Sequence, residues 1–385
     1  MHVTHTATPS PNRFSIIAGG AAQLTIDLTA LRANWCYLNG RVGDGCTCSA
    51  VVKASAYGLG AAEAGRALFE AGARVFFVAL PEEGIELRAE LPLAEIFILN
   101  GLFHGREQLY RDFNLKPVLG SLEEVADWSS FARAENQQLG AALHFDTGMH
   151  RLGMAVSDAI SLNASARALT GISVDLVMSH LACADTPDHP MNRKQLKRFL
   201  RICEQFPDAR KSLSNSAGIF LGPEFQFDLV RPGIALYGGN PAPDTPNPML
   251  PVAHIRAEII NLRDVPSGDS VGYGASRVTS RKSRIATINI GYADGLHRLV
   301  GNSDSNPNGA RVFIGGHFAP LFGRVSMDMV AVDVTDIPTE HLVRGATIEV
   351  MGAHVSVDEL ANFAQTIPYE LLCSLGARYT RHYKS

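Results

Sequence analysis

Between residues 49 and 234, short apolar runs alternate with longer amphipathic stretches, and this alternation constrains the fold more than any other feature. Eight runs read as strands: residues 49–54, 74–79, 96–100, 116–119, 141–147, 174–180, 211–216 and 227–233. They show little internal polar–apolar alternation, as expected of strands buried on both faces. The stretches between them read as helices. Residues 61–71 carry apolar positions at helical spacing, and residues 81–90 open with a proline beside acidic residues. Ser121-Leu122-Glu123-Glu124 has a capping-box pattern, and residues 157–169 and 191–206 follow. Eight such β-α repeats predict an N-terminal (β/α)8 TIM-type barrel. An open doubly wound sheet has the same local pattern and stays as the alternative.

A Pro/Gly/Asn-rich stretch, residues 238–251, breaks the alternation. Beyond it the chain is β-rich, with strand-like runs at 253–262, 284–290, 311–314, 329–334 and 347–351 separated by Gly, Pro and Asp turns. Residues 358–365 and the tail after Tyr369 read as helical or irregular, and 301–309 as a polar loop. A length of 385 residues suits two domains. The expected division is an N-terminal extension (1–22), an α/β barrel (23–240) and a C-terminal mainly-β domain (241–385). The strand around Gln23–Asp27 is expected to join the second domain.

Hydrophobic residues make up 46% and charged residues 19%, which excludes a disordered chain. Lys plus Arg number 34 and Asp plus Glu 38, and no long basic stretch occurs, so nucleic acid and anionic membrane are poor partners. The apolar runs are too short to cross a bilayer. The polar start of the chain lacks the pattern of a secretory signal. The cysteines are scattered without a C-x-x-C pair, which suits buried thiols in a reducing, cytoplasmic compartment. No metal is expected: His180, Asp185 and His189 are near in sequence, but a strand end plus a loop is weak evidence for a ligand set.

In a β/α barrel, functional residues follow the C-terminal ends of the strands. Lys53 closes the first strand, where its charge is either paired at the surface or used. Kept near neutral by desolvation, its amine could attack a carbonyl. His144 to Gly153 follow the fifth strand, His180 ends the sixth, Asn215-Ser216 the seventh and Arg231-Pro232-Gly233-Ile234 the eighth. Gly233 would let the backbone approach a ligand closely, and phosphates often sit by the last strands of such barrels. Each feature alone is ordinary turn or core chemistry; their joint placement at one mouth carries the weight.

Ala50-Val51-Val52-Lys53-Ala54-Ser55-Ala56-Tyr57-Gly58 resembles the cofactor-lysine motif of alanine racemases, the pyridoxal-phosphate enzymes of the barrel fold type. The resemblance continues in Asp146-Thr147-Gly148-Met149-His150-Arg151-Leu152-Gly153, Ser179-His180-Leu181-Ala182, Asn215-Ser216 and Arg231-Pro232-Gly233-Ile234-Ala235-Leu236-Tyr237-Gly238. In the second domain it is carried by Gly291-Tyr292-Ala293-Asp294-Gly295 and Gly323-Arg324-Val325-Ser326-Met327-Asp328. It spans nearly the whole chain.

The resemblance implies a homodimer with shared active sites, interconverting L- and D-alanine and supplying D-alanine for peptidoglycan. It implies that Lys53 holds pyridoxal 5'-phosphate as a Schiff base and acts as one base, with Tyr292 of the partner subunit as the other. Two bases answer a physical need, since a proton must leave one face of the α-carbon and arrive on the other. Arg151 would contact that phenol and the substrate carboxylate. Arg231, beside His180, would donate to the pyridine nitrogen. Tyr57, Ser216, Gly233, Ile234 and Tyr369 would hold the phosphate, with Asn215 beside them. Met327 would offer its backbone N–H to the substrate carboxylate, with Asp328 nearby, and Asp185 and Arg324 would line the substrate entrance.

The chain departs from the common pattern at three places. His144 stands where relatives often carry a lysine, in many members carbamylated to support the active-site arginine. Ser55 and Leu59 replace frequent Asn and His, and Arg378-Tyr379-Thr380-Arg381 replaces Arg-Val-Pro-Arg. A neutral His144 is expected to accept a hydrogen bond from Arg151, directly or through water, and to lose that hold when protonated near pH ~6.5. The alternatives are a serine or broader-specificity racemase, or a non-catalytic cofactor-binding protein; the latter kind has no β domain.

Overall fold

The computed structural model describes residues 22–165 and 167–385; the expected extension lies almost wholly outside them. The barrel strands are Thr47–Cys48 with Ala50–Val51, Val75–Val78, Glu95–Ile98, Lys116–Leu119, Leu139–His144, Ile172–Met178, Arg210–Ser212 and Leu229–Val230. All neighbours pair in parallel, from Ala50–Val51 through to Arg210–Ser212. Closure comes from the first and last strands: Leu229–Val230 pairs with Thr47–Cys48, and the Arg231 amide donates to the Ser214 carbonyl. The barrel is therefore closed, which removes the open doubly wound sheet. Its strands are buried on both faces, with Phe76, Phe77, Ile96, Phe97 and Ile98 wholly inaccessible.

Helices cover the barrel as the repeats require. Ala61–Ala71 and Pro81–Glu90 fall where the sequence places them. The capping box at Ser121 starts Leu122–Ala134, its hydroxyl accepting the Glu124 amide at 3.2 Å.

Gln23–Asp27 does not enter the barrel. It pairs antiparallel with Ala253–Val265 and parallel with Thr380–Lys384, in the eight-stranded sheet of the second half of the chain. The tail after Tyr369 thus ends in a strand, which corrects the helical or irregular reading. The stretch from Gly238 to Pro251 is clasped from both sides. Asp358 accepts the Asn240 amide at 2.9 Å, and Asn34 exchanges hydrogen bonds with Leu250. One contiguous apolar core runs through both halves.

Candidate active site

The segments that leave the C-terminal ends of the barrel strands line a cavity of about 850 Å3, within the roughly 300–1,000 Å3 usual for small-molecule sites. It collects Lys53, Tyr57, Arg151, His180, Asn215, Ser216, Arg231, Gly233, Ile234 and Tyr369, together with His144 and Asp185. Tyr292, Met327, Asp328 and Arg324 are absent from its lining in the same chain.

Lys53 does not close a strand as the sequence suggests. The strand stops at Val51, and Ala54, Ser55, Ala56 and Tyr57 all take left-handed backbone, with φ between 53 and 56°. Such a turn of L-residues costs roughly 1–2 kcal/mol per residue, and strain of this kind persists only where surroundings enforce it. Glu83 supplies part of that enforcement. Its Oε1 accepts the Ala54 amide at 2.6 Å, while Oε2 accepts Ala79 and Leu80 at 2.7 and 3.1 Å. From the other domain, Arg381 donates to the Gly58 carbonyl at 2.7 Å. Lys53 is half-buried, and among the described residues its amine has no hydrogen bond or ion pair. Burial, and then the Arg151 cation, hold it below the ordinary lysine range.

Arg231 is buried at the cavity floor. Its Nη1 donates to Ser212 Oγ, and Nη2 to the Ser179 carbonyl at 2.6 Å and to His180 Nδ1 at 3.4 Å. Burial lowers the guanidinium to about 9, so it stays charged at neutral pH. Burial, and then Arg231, drive His180 far below the usual histidine range. His180 is therefore neutral, and because Nδ1 faces a donor, the proton sits on Nε2. Gln195, wholly buried, fixes this segment by donating to the His180 carbonyl and to Thr147 Oγ1 and accepting the Ala182 amide.

At the opposite end Tyr57 lies against Tyr237 and Tyr369, with ring centroids 4.6 and 5.9 Å away. Burial raises both Tyr57 and Tyr369, the latter to about 12, so both hydroxyls keep their protons. Ser216 Oγ accepts the Gly233 and Ala235 amides at 2.8 and 3.3 Å and has its own proton left to give. The Ile234 amide has no partner among the described residues. A Cβ on Gly233 would overlap the Tyr57 hydroxyl, so a side chain there would displace it. Asn215 spends its Oδ1 on the Gly218 amide at 2.9 Å and shapes the loop.

These donors fit pyridoxal phosphate: an unpaired amine for the aldehyde, hydroxyls and a free amide for the phosphate, and a guanidinium for the ring nitrogen. With both Nη atoms of Arg231 engaged, its Nε–H has no partner among the described residues.

The Asp146–Arg151 loop is built on one carboxylate. Asp146 Oδ1 accepts the Gly148, Met149 and His150 amides at 2.7, 2.9 and 3.2 Å, which carries Arg151 to the exposed rim. His144 lies below it, buried, and no hydrogen bond joins the two. This corrects the expected direct contact. Burial, then Arg231, then Arg151, lower His144 to about 4, so its protonation does not fall near pH ~6.5 either. Nor do His180, Asp185 and His189 converge as ligands; His189 Nδ1 instead accepts the Met191 amide and starts the helix Pro190–Cys203.

Tyr292 and Met327 form a second cluster on the β domain, 44% and 52% exposed. Their loops are zipped together by hydrogen bonds from Tyr292 N to Ser326 O and from Ala293 N to Met327 O, both 3.0 Å. A Cβ on Gly291 would overlap the Ser326 and Met327 carbonyls. Sequence reasoning missed Glu83, Gln195 and Arg378. Glu83 left a trace as an acidic residue beside Pro81, and Arg378 as the first residue of the Arg378-Tyr379-Thr380-Arg381 run.

A closed parallel barrel with an unpaired lysine at its rim, followed by a β domain, defines the class of barrel-fold pyridoxal-phosphate enzymes. Residues 26–241 match the family model "Alanine racemase, N-terminal domain", and 252–383 match "Alanine racemase, C-terminal domain". The biosynthetic alanine racemase of Agrobacterium fabrum is 47% identical over 366 residues, covering 94% of this chain and 93% of that protein. The catabolic alanine racemase of the same organism is 46% identical over 369 residues, covering 95% and 93%. A crystal structure of alanine racemase from Bartonella henselae with covalently bound pyridoxal phosphate superposes with a TM-score of 0.88 at 40% identity, covering 95% of this chain and all of that one. The chain belongs to the alanine racemase family.

Proposed function

We propose that this pyridoxal-phosphate-dependent racemase interconverts L- and D-alanine, with Lys53 as one base and Tyr292 of the partner subunit as the other. The observation that carries the reading is the Lys53 amine, desolvated and without a hydrogen bond or ion pair among the described residues, in the cavity that also collects Arg231, Tyr57 and Ser216. The bound cofactor would supply the electron sink for the charge left when the α-proton departs. Lys53 would take or give the proton on one face. Tyr292 would serve the other face once the β domain of a second copy covers the mouth. Tyr57, Ser216, Ile234 and Tyr369 would hold the phosphate by hydroxyl and amide donors, and Gly233 leaves them room. Arg231, charged at neutral pH, would donate to the ring nitrogen without protonating it, which moderates the sink and favours simple proton exchange. Arg151, with the Met327 amide and Asp328 from the partner subunit, would orient the substrate carboxylate, while Asp185 and Arg324 flank the entrance.

The reading extends to a homodimer in the cytoplasm that supplies D-alanine for peptidoglycan. The six unpaired cysteines suit a reducing compartment, and no helix among the described residues is long and apolar enough to cross a membrane. Chiral product analysis with added pyridoxal phosphate tests the activity. Either alanine enantiomer should yield an even mixture, faster than serine does. Absence of alanine inversion would overturn it.

A further inference from the structure

We infer that Arg378 is a positioning residue for the Tyr292 phenol, because its guanidinium ties the loop that carries Tyr292 to the loop that carries Met327. The inference rests on the two-base reading above and adds to it the part of the chain that fixes one base in place.

Arg378 Nε reaches Asp294 Oδ1 at 3.0 Å, and Nη1 reaches Asp328 Oδ1 at 2.6 Å. Asp294 follows Tyr292 by two residues, and Asp328 directly follows Met327. The Asp294 side chain is only 5% exposed, and its other oxygen accepts the Gly291 amide at 2.9 Å. One carboxylate thus folds the Tyr292 turn onto itself and hands it to the arginine. The backbone repeats the tie, since the Gly376 amide donates to the Asp294 carbonyl at 3.1 Å. The phenol itself stands exposed and has no hydrogen bond among the described residues, so this scaffold determines where it can reach.

The chemistry calls for arginine. A planar fork can serve two carboxylates on separate loops at once, whereas an ammonium is a single point charge. The Arg378 and Asp328 side chains are 49% and 52% exposed, so their pair contributes little to stability. Its effect is geometric: it sets the spacing between the loops that offer the phenol and the Met327 amide.

The test uses the holoenzyme and the variants Arg378→Ala and Arg378→Lys. Amide hydrogen exchange should quicken in peptides covering 289–296 and 324–330 of Arg378→Ala and stay at wild-type rates in the barrel. Racemisation in D2O gives the functional readout. Lys53 takes the α-proton from one enantiomer, and its ammonium then also carries deuterons from solvent. If the displaced phenol fails to deliver to the other face, Lys53 returns a deuteron to the face it deprotonated. Deuterium incorporation without inversion should therefore rise relative to inversion for that enantiomer. We expect inversion to fall about 10-fold or more, given that an ångström of misplacement can cost about 10²-fold, and Arg378→Lys to fall between wild type and Arg378→Ala. Slower inversion with an unchanged exchange-to-inversion ratio, or unchanged amide exchange in both loops, would overturn the inference. Should Arg378→Ala fail to fold, the same ratio in Arg378→Lys decides. A wild-type enzyme that exchanges no α-proton in either enantiomer would instead refute the two-base reading.

Discussion

Glu83 holds the Ala54 amide at 2.6 Å, one residue beyond Lys53, while its second oxygen caps the helix that follows the neighbouring strand. The carboxylate therefore couples two strand ends and anchors a strained left-handed turn. Glu83→Ala should cost about 1.5–3 kcal/mol, the range for hydrogen bonds to a charged group. Turnover should fall by more than KM rises, because the lysine is misplaced and substrate contacts remain. Chemical denaturation and steady-state kinetics check both parts; an unchanged turnover would contradict the anchoring role.

Gly233 faces the Tyr57 hydroxyl so closely that a side chain would displace it. Gly233→Ala should weaken cofactor retention, on the order of 10-fold for one lost donor contact of about 1.4 kcal/mol. Equilibrium dialysis against pyridoxal phosphate measures it. Wild-type retention would show that the phosphate sits elsewhere.

His144 has a folded-state pKa lowered from 6.5 to about 4 by burial and then by Arg231. The unfolded chain binds the proton first, so this histidine contributes stability that is complete above about pH 6.5 and is lost as pH falls toward 4. His144→Ala should flatten the dependence of melting temperature on pH between those values. Turnover per loaded site should be independent of added bicarbonate, since imidazole forms no carbamate. An unaltered pH slope, or activity that depends on bicarbonate, would contradict the respective half.

The barrel was legible because each strand–helix repeat carries its own signals. Pro81 with its acidic neighbours and the Ser121 box mark helix starts through local chemistry alone. Strand ends from the fifth onward were harder to place: Phe145 and Leu213 are wholly buried yet lie beyond the last ladder pairs, and hydrophobicity reports burial, not pairing. The helix Leu28–Arg41 turns Cys36 and Tyr37 outward, which blurs its stripe. The left-handed turn after Lys53 leaves no mark, because Ala54-Ser55-Ala56-Tyr57 lacks the glycine that signals positive φ. The site residues could be named as strand-end groups and by their motifs. The environment of His144 could not, since Arg231 reaches it from three strands further along the chain.

The N-terminal end of the barrel holds a charge cluster away from the chemistry. Lys116 Nζ lies 2.6 Å from both Glu95 and Asp175, and Arg210 Nη2 lies 2.7 Å from Glu95. Burial opposes ionisation of Glu95, but Arg210 and Lys116 outweigh it and lower its pKa. Its stabilising effect is therefore present above the ordinary carboxylate range and fades as pH falls below it. Glu95→Ala should destabilise by about 2 kcal/mol, somewhat under the 3–5 of a fully buried broken pair. Turnover per loaded site should stay at the wild-type level. Thermal denaturation paired with kinetics separates the two, and a loss of turnover without loss of stability would contradict this assignment.

The central claim is that Lys53 and Tyr292 complete one site from two chains. Mixing Lys53→Ala with Tyr292→Phe under conditions of subunit exchange tests it most directly. In a two-fold dimer each hybrid has one site carrying both substitutions and one carrying neither, so random exchange should restore about a quarter of wild-type activity. Demonstrated exchange with activity no higher than that of the separate variants would contradict the shared site.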